Sequence, residues 1–202
     1  MLVKIFLNNF AQKYIFRMTY LDYTDTDFYL AIKQLLLDNG KKVEFSRGDL
    51  LCQAGDIATK LGLLVSGTLK YSITATNGRD RIVSFAFTGD LVGSYSSMRH
   101  HSPSLLNIVA TESSIIYQLP VEQIDAAIGL ELRMKLGEAL CYQLLKSIVD
   151  NYCLSPEERY VALTCRFPDI HNRMTNRTIA SYLGITPESL SRMRKRLLTK
   201  QL

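Results

Sequence analysis

The sequence predicts an α+β chain: a short helix, an antiparallel β-domain, a long amphipathic helix, and a small basic helical module at the end. Three observations predict it. Glycines punctuate the segment from Lys42 to Leu119 at turn-like intervals. Beyond Pro120 the hydrophobic period changes from that of strands to that of a helix. The positive charge is concentrated beyond Pro156.

Size and composition bound what such a chain can be. At 202 residues it is larger than one typical domain and short for two full ones, which suits one larger module carrying a smaller one. Apolar residues make up 47% and charged residues 21%, the balance of a globular protein rather than a disordered or fibrous one. Apolar runs are interrupted well short of the roughly 18 residues of a membrane span. "MLVKIFLNNFAQK" has neither a long apolar core nor a small-residue cleavage site. The expected location is cytoplasmic, with no membrane partner.

Residues 1–20 give no clear signal. The stretch "TDTDFYLAIKQLLLDNG" places Phe28, Ile32, Leu35 and Leu36 on one face, with Gly40 after the end, and reads as a short helix from Thr24 to Asn39 packed on the sheet. Between the glycine marks "SRGDLL", "QAGDIA", "VSGTLK", "TNGRDR" and "FTGDLVG" lie short segments rich in Val, Ile, Phe, Tyr and Thr, such as "LGLLVSG", "LKYSITA" and "RIVSFAF". Asn77-Gly78 is a hairpin signal, because both central positions of a type I′ turn need positive φ. Tight turns leave no room for crossover helices, so the sheet is expected to be a roll, barrel or sandwich.

After Pro120, Leu132, Leu136, Leu140, Leu144 and Ile148 recur every four residues, with Cys141, Leu145, Val149 and Tyr152 beside them. A helix this broadly apolar could be buried within one monomer, or could offer one stripe to a partner helix, as in a parallel dimer. Ser155-Pro156-Glu157-Glu158 then restarts a helix, with Ser155 as N-cap, Pro at the first position and acids in the first turn. These marks divide the chain into residues 1–129, a helix over 130–154, and a C-terminal domain over 155–202.

The four cysteines, Cys52, Cys141, Cys153 and Cys165, show neither paired spacing nor a histidine at ligand spacing, and read as reduced, mostly buried thiols. No metal or other cofactor is called for. From Pro156 onward Arg159, Arg166, Arg173, Arg177, Arg192, Arg194, Lys195, Arg196 and Lys200 stand against Glu157, Glu158, Asp169 and Glu188. That segment therefore carries the whole net charge of +5. A polyanionic partner or a solvated helix face would each account for it.

The stretch "NRTIASYLGITPESLSRMRKRL" narrows the choice. A first helix from Arg177 to Leu183 turns Ile179, Ala180 and Leu183 inward, and Ala180 is small enough for a steep helix crossing. Gly184 can take the left-handed conformation at the helix end. Ile185 plugs the core, Thr186 caps a second helix, and Pro187 begins it. Leu190, Met193 and Leu197 then point inward, and Glu188, Ser191, Arg192 and Lys195 outward. This is the order of a helix-turn-helix, whose second helix enters the major groove of double-stranded DNA. Glu188 can accept from cytosine N4 and Arg192 can donate bidentately to guanine, four residues apart on one face. Thr186, Ser189, Ser191, Lys195 and Arg177 suit phosphates. The rival reading is a ligand-sensing module whose helix-turn-helix contacts a protein. No nucleophile–base pair or phosphate-cradling loop points to an enzyme.

From about Phe45 to Leu197 these residues resemble the Crp/Fnr family of transcription regulators, and "YLGITPESLSR" looks especially like members from Bacteroidetes-type bacteria. The resemblance implies a jelly-roll-like, cyclic-nucleotide-binding-like β-roll as sensor domain, a dimerisation helix over residues 130–153, and a C-terminal helix-turn-helix domain reading a palindromic site as a homodimer. It also implies contact with RNA polymerase or obstruction of it. Glu188 and Arg192 fall on the family's base-contacting positions, while Pro187 replaces a third base-reading arginine. The family's cyclic AMP pocket uses Gly-Glu and, eleven residues later, Arg-Ser. In "VGSYSSMRHHSPSLLNIVA", Gly93 matches, but Ser94 replaces the Glu, and Ser104 and Leu105 replace the Arg and Ser. The expected pocket, Gly93, Ser94, Tyr95, Arg99, Ser104 and Leu105, is therefore degenerate. Cyclic AMP is not the expected effector, and an unidentified small molecule or none takes its place. Arg99, His100 and His101 could hold another anion or form a polar solvated loop. "RFPDIHNRMTN" is short for the family's β-wing, and the N-terminal cysteine cluster of the oxygen-sensing branch is missing.

Overall fold

The computed structural model describes residues 26–76, 78 and 80–199. Asn77, Lys200 and the start expected at Thr24 lie outside the described residues. Two compact units are present, Asp27–Gly137 and one holding the chain from Glu138 onward.

In the first unit, helix α1 (Asp27–Asn39) is followed by strands β1 (Lys41–Phe45), β2 (Leu50–Cys52), β3 (Lys60–Ser66), β4 (Thr68–Thr74), β5 (Asp80–Phe87) and β6 (Leu91–Val92). A short helix α2 (Tyr95–His100) and strands β7 (Asn107–Ala110) and β8 (Ser114–Pro120) complete it. The strands form two four-stranded sheets, ordered β1-β8-β3-β6 and β2-β7-β4-β5, and every pairing is antiparallel. The chain passes from one sheet to the other at Gly67, between β3 and β4, with φ +97°. A Cβ there would lie 2.7 Å from the Ser113 carbonyl oxygen, so both backbone sign and space require glycine.

Leu64, Val92 and Ile116 of one sheet meet Leu69, Ala86, Ile108 and Ala110 of the other in one buried cluster. Each Leu or Ile so buried contributes about 1.5–3 kcal/mol. On α1 the buried residues are Tyr29, Ile32 and Leu36, whereas Phe28 and Leu35 are half-buried. The expected face is thus rotated toward Tyr29, because the Tyr29 hydroxyl accepts the Leu91 amide of β6 at 2.9 Å, a bond that hydrophobic periodicity cannot register. The β4–β5 hairpin forms, but its turn closes from Gly78 N to Ala75 O at 2.8 Å. Strand pairing ends at Thr74 and Asp80, so the loop is longer than a two-residue type I′ connection.

Helix α3 (Val121–Cys153) has non-helical dihedrals at Gly129 (φ +69°), and the boundary between the units falls at Gly137 and Glu138 within it. The stripe expected at every fourth residue is redrawn. Such spacing advances by about 40° per step around a helix, so Leu132 and Ile148 do not share a face. Leu136 is buried, Leu132 and Leu140 are half-buried, and Leu144 and Ile148 are exposed. In the second unit the exposed apolar face comprises Cys141, Leu144, Leu145, Ile148 and Tyr152, at spacings of three and four. Leu130 and Met134, four residues apart in the first unit, are also exposed.

The second unit continues with α4 (Pro156–Arg166), α5 (Ile170–Arg173), α6 (Asn176–Leu183) and α7 (Pro187–Thr199). Ser155 and Glu158 form a reciprocal capping box at the start of α4. The segment considered too short for a β-wing holds α5, and no strand lies among the described residues of this unit. The thiols depart from expectation: Cys52 is half-buried, and Cys141, Cys153 and Cys165 are exposed. Wide spacing alone does not say which face of a helix a cysteine occupies. Among the described residues no helix is long and apolar enough to cross a membrane, and no cluster of His, Cys, Asp or Glu could hold a metal.

Candidate nucleic-acid interface and effector site

Thr175 caps α6 by accepting the Thr178 amide at 3.2 Å, and Ile179, Ala180 and Leu183 turn inward. Gly184 ends α6 at φ +72°, its amide bonded back to Ala180 and Ser181. Half-buried Ile185 follows, and Thr186 accepts the Ser189 amide at 3.2 Å to cap α7. The buried side of α7 is Leu190 and Met193, with Leu197 half-buried.

The opposite side of α7 carries the expected readers. Glu188, Ser191, Arg192 and Lys195 are exposed, Pro187 and Ser189 half-buried, and Thr186 and Arg177 exposed beside them. The Glu188 carboxyl is held below its ordinary pKa by its own backbone N–H at the helix N-terminus, then by the Thr186 hydroxyl and the Arg192 charge. It is therefore a persistent acceptor. Arg192 donates to the Ser189 hydroxyl at 3.2 Å, along the helix surface. An ionised acceptor and a planar two-pronged donor one turn apart can address neighbouring base edges in a major groove.

The basic residues prove to be of two kinds, which a charge count merges. Arg159 donates to the Leu183 carbonyl at 2.7 Å, capping the C-terminus of α6, and also reaches Asn151. Arg173 pairs with Asp169 at 2.6 Å, Arg196 with Glu157, and Arg194 donates to Asn176 at 3.0 Å. These four are committed to the fold of the module. Arg177, Arg192 and Lys195 are exposed and form no ion pair among the described residues.

In the first unit the expected pocket residues are brought together only in part. Ser94 and Ser104 are buried and share a 2.9 Å hydroxyl–hydroxyl bond, and the Ser104 hydroxyl also donates to the Leu106 carbonyl at 2.9 Å. Gly93 leads into this corner with φ +152°. Leu105, by contrast, is 80% exposed and points away. Arg99 is engaged by a carboxylate of its own unit. Its guanidinium forms a two-pronged pair with Asp125 of α3, one arm at 2.7 Å, and lies 5.0 Å from the Tyr95 ring centre. Arg133 approaches the same carboxylate at 3.6 Å. The hydrogen bonds from Arg99 hold Asp125 below its ordinary pKa, so the charge that an anion would need is already neutralised. His100 and His101 are exposed.

A residue that the pattern of the sequence did not single out completes this corner. Tyr71 of β4 packs against the core, and burial pushes its hydroxyl above the usual phenol pKa, partly offset by the facing Gly93 amide. Its position in "LKYSITA" marks a strand, but nothing in that segment tells which ring is turned toward a glycine some twenty residues on.

The cyclic nucleotide-binding domain family matches residues 42–129. The chain is 31% identical over 176 residues to the fumarate and nitrate reduction regulatory protein of Shigella dysenteriae, covering 78% of this chain and 69% of that one. It is 27% identical over 175 residues to the anaerobic regulatory protein of Aggregatibacter actinomycetemcomitans, covering 78% and 67%. Among solved structures, FixK2 from Bradyrhizobium japonicum superposes with a TM-score of 0.68 at 19% identity, over 80% of this chain and 85% of that one. The catabolite activator protein of Thermus thermophilus gives 0.52 at 20% identity over 84% of each. A two-sheet domain of the nucleotide-binding type, a capped helix-turn-helix, and curated regulators aligned along most of the chain place this protein in the Crp/Fnr family of DNA-binding transcription regulators.

Proposed function

We propose that this regulator acts in the cytoplasm as a homodimer that reads an inverted-repeat operator and does not respond to cyclic AMP. The observation that carries the reading is the exposed Glu188–Arg192 pair at the N-terminal end of α7, flanked by Arg177, Thr186, Pro187, Ser189, Ser191 and Lys195. Glu188 accepts from a cytosine, Arg192 grips a guanine, and the flanking groups hold the phosphates. Dimerisation runs through the exposed face of α3, with Leu144 and Ile148 at its centre, and sets the two recognition helices about one DNA turn apart. Residues 1–129 serve as sensor, 130–154 as dimer helix and 155–202 as reader.

Indifference to cyclic AMP follows from the chemistry at Ser94 and Ser104. Ser94 and Ser104 bond to each other, and the Arg99 guanidinium is engaged by Asp125 rather than left to balance a buried phosphate. Another small molecule, or none, shifts the active population, and the DNA-bound dimer contacts RNA polymerase or blocks it. The test is selection from random duplex DNA by the full chain, with and without cyclic AMP, repeated for Arg192→Ala. An inverted repeat unaffected by the nucleotide, and blurred at one guanine per half-site in the variant, supports the reading. Selection that needs cyclic AMP overturns the sensor half of it. Selection unchanged by Arg192→Ala and by Glu188→Ala overturns the base-reading half and favours a protein-contacting helix.

A further inference from the structure

Arg194 lies on the recognition helix but not on its reading face. It is two residues from Arg192, and at about 100° per residue this places it about 160° round the helix. It is half-buried at the edge of the side that buries Leu190. Its guanidinium donates to Asn176 Oδ1 at 3.0 Å, at the first turn of α6, and its charge partly offsets the rise that burial gives the Tyr160 phenol pKa on α4. The Tyr160 hydroxyl lies 2.7 Å from His171 Nε2 of α5, with the two rings 5.8 Å apart. One side chain of α7 is thus bonded to α6, with its charge felt by the Tyr160–His171 pair of α4 and α5.

An apolar residue at 194 would extend the buried side of α7 and demand no partners. An arginine there must have its charge and its planar N–H groups matched, and it gives up side-chain entropy to do so. What it gains is direction. Apolar packing tolerates small rotations of a helix about its axis, whereas a guanidinium bonded to an acceptor on a neighbouring helix resists them. A rotation of α7 by a few tens of degrees would leave Leu190 and Met193 buried and yet swing Glu188 and Arg192 off their base edges.

We propose that Arg194 is a positioning residue for base reading: through its bond to Asn176 it fixes the rotation of α7, and so sets the angle at which Glu188 and Arg192 meet the major groove. This rests on the assignment of α7 as the base reader. Arg194 acts through the placement of other side chains and contributes to sequence discrimination rather than to phosphate affinity.

The experiment compares wild type, Arg194→Leu, Asn176→Ala and the double variant. The probes are the duplex that wild type selects from a random pool and a scrambled duplex of the same length, each titrated over a range of salt. Arg194→Leu is expected to lose about tenfold or more on the selected duplex, the size of a charged hydrogen bond. It should bind the scrambled duplex as wild type does and keep the wild-type salt slope. Asn176→Ala, which leaves Arg194 in place, guards against an unfolded Arg194→Leu and should lose part of the same discrimination. The double variant should be no worse than Arg194→Leu alone.

Equal loss on both duplexes with a salt slope smaller by about one would make Arg194 a phosphate contact and overturn the proposal. So would unchanged discrimination in all the variants. A wild-type protein that selects no sequence would sink the base-reading assignment and this proposal with it. A wild type that selects, beside variants that select equally well, sinks the proposal alone.

Discussion

Removing Asp125 tests how the sensor unit is held together. Its carboxylate receives both arms of Arg99 and the approach of Arg133, and the side chains of Arg99 and Asp125 are only 19% and 21% exposed. In Asp125→Ala the guanidinium keeps the Tyr95 ring and some water but loses its counter-charge, while Arg99 Nε is already buried without a partner. A fully buried broken pair costs about 3–5 kcal/mol and an exposed one about 0–1. A pair one-fifth exposed falls between, at about 2 kcal/mol. Because the protein has two compact units, a single global unfolding curve does not isolate this cost. Amide hydrogen exchange does: about 2 kcal/mol corresponds to roughly 30-fold faster exchange of the α2 amides of residues 95–100. Peptides from residues 156–199 serve as the internal control and should not change. The pH dependence adds a second check. Folding lowers the Asp125 pKa from 3.8, so its contribution is present above that value and is lost as pH falls through the folded value. The difference between wild type and variant should hold steady from pH 8 to 5 and shrink below about 3.8. Equal α2 exchange in both proteins at pH 7 would refute the argument, and a difference that persists undiminished in acid would assign the effect to packing instead.

Other expectations follow from the helical elements. In a two-fold parallel helix pair the same residue of each chain meets its copy along the contact stripe. Mild oxidation should therefore yield a covalent dimer on non-reducing gels that Cys141→Ser abolishes, and Leu144→Asp should shift the protein toward monomer in sedimentation. Gly184→Ala meets open space, so its only cost is the left-handed backbone, about 1 kcal/mol, read as a lower melting temperature of the C-terminal unit. Burial, then the Arg194 charge, depresses the His171 pKa below 6.5. Its neutral form suits the folded state, so stability is full above pH 6.5 and declines as pH falls below it; His171→Phe should flatten that decline in pH-dependent melting.

The strands and caps were legible because each rests on a local rule: glycine where φ turns positive at Gly67 and Gly184, and Ser155, Thr186 and Pro187 where helices start. The stripe on α3 was misdrawn for an equally local reason. A repeat of four looks regular in the sequence, yet it slides around the helix, and Leu136 ends buried while Cys141 ends exposed. Tyr29 was missed because its place depends on a hydrogen bond to β6, a partner more than sixty residues away.

Charge was the least legible quantity. An excess of five positive charges suits a polyanionic partner or a solvated helix face equally, and it does not measure the surface offered to DNA. Arg159, Arg173, Arg194 and Arg196 are occupied by a helix terminus, an asparagine and two carboxylates of the same module. The same guanidinium chemistry that recognises phosphate and guanine also recognises carbonyls, amides and carboxylates, so the sequence does not distinguish an arginine that reads from one that holds the reader. Partners do. Arg177, Arg192 and Lys195, exposed and without an ion pair among the described residues, remain for an external polyanion. The Arg-Met-Arg-Lys-Arg run at residues 192–196 is then an alternation of roles around one helix, with Arg192 and Lys195 facing out and Arg194 and Arg196 tied back to the fold.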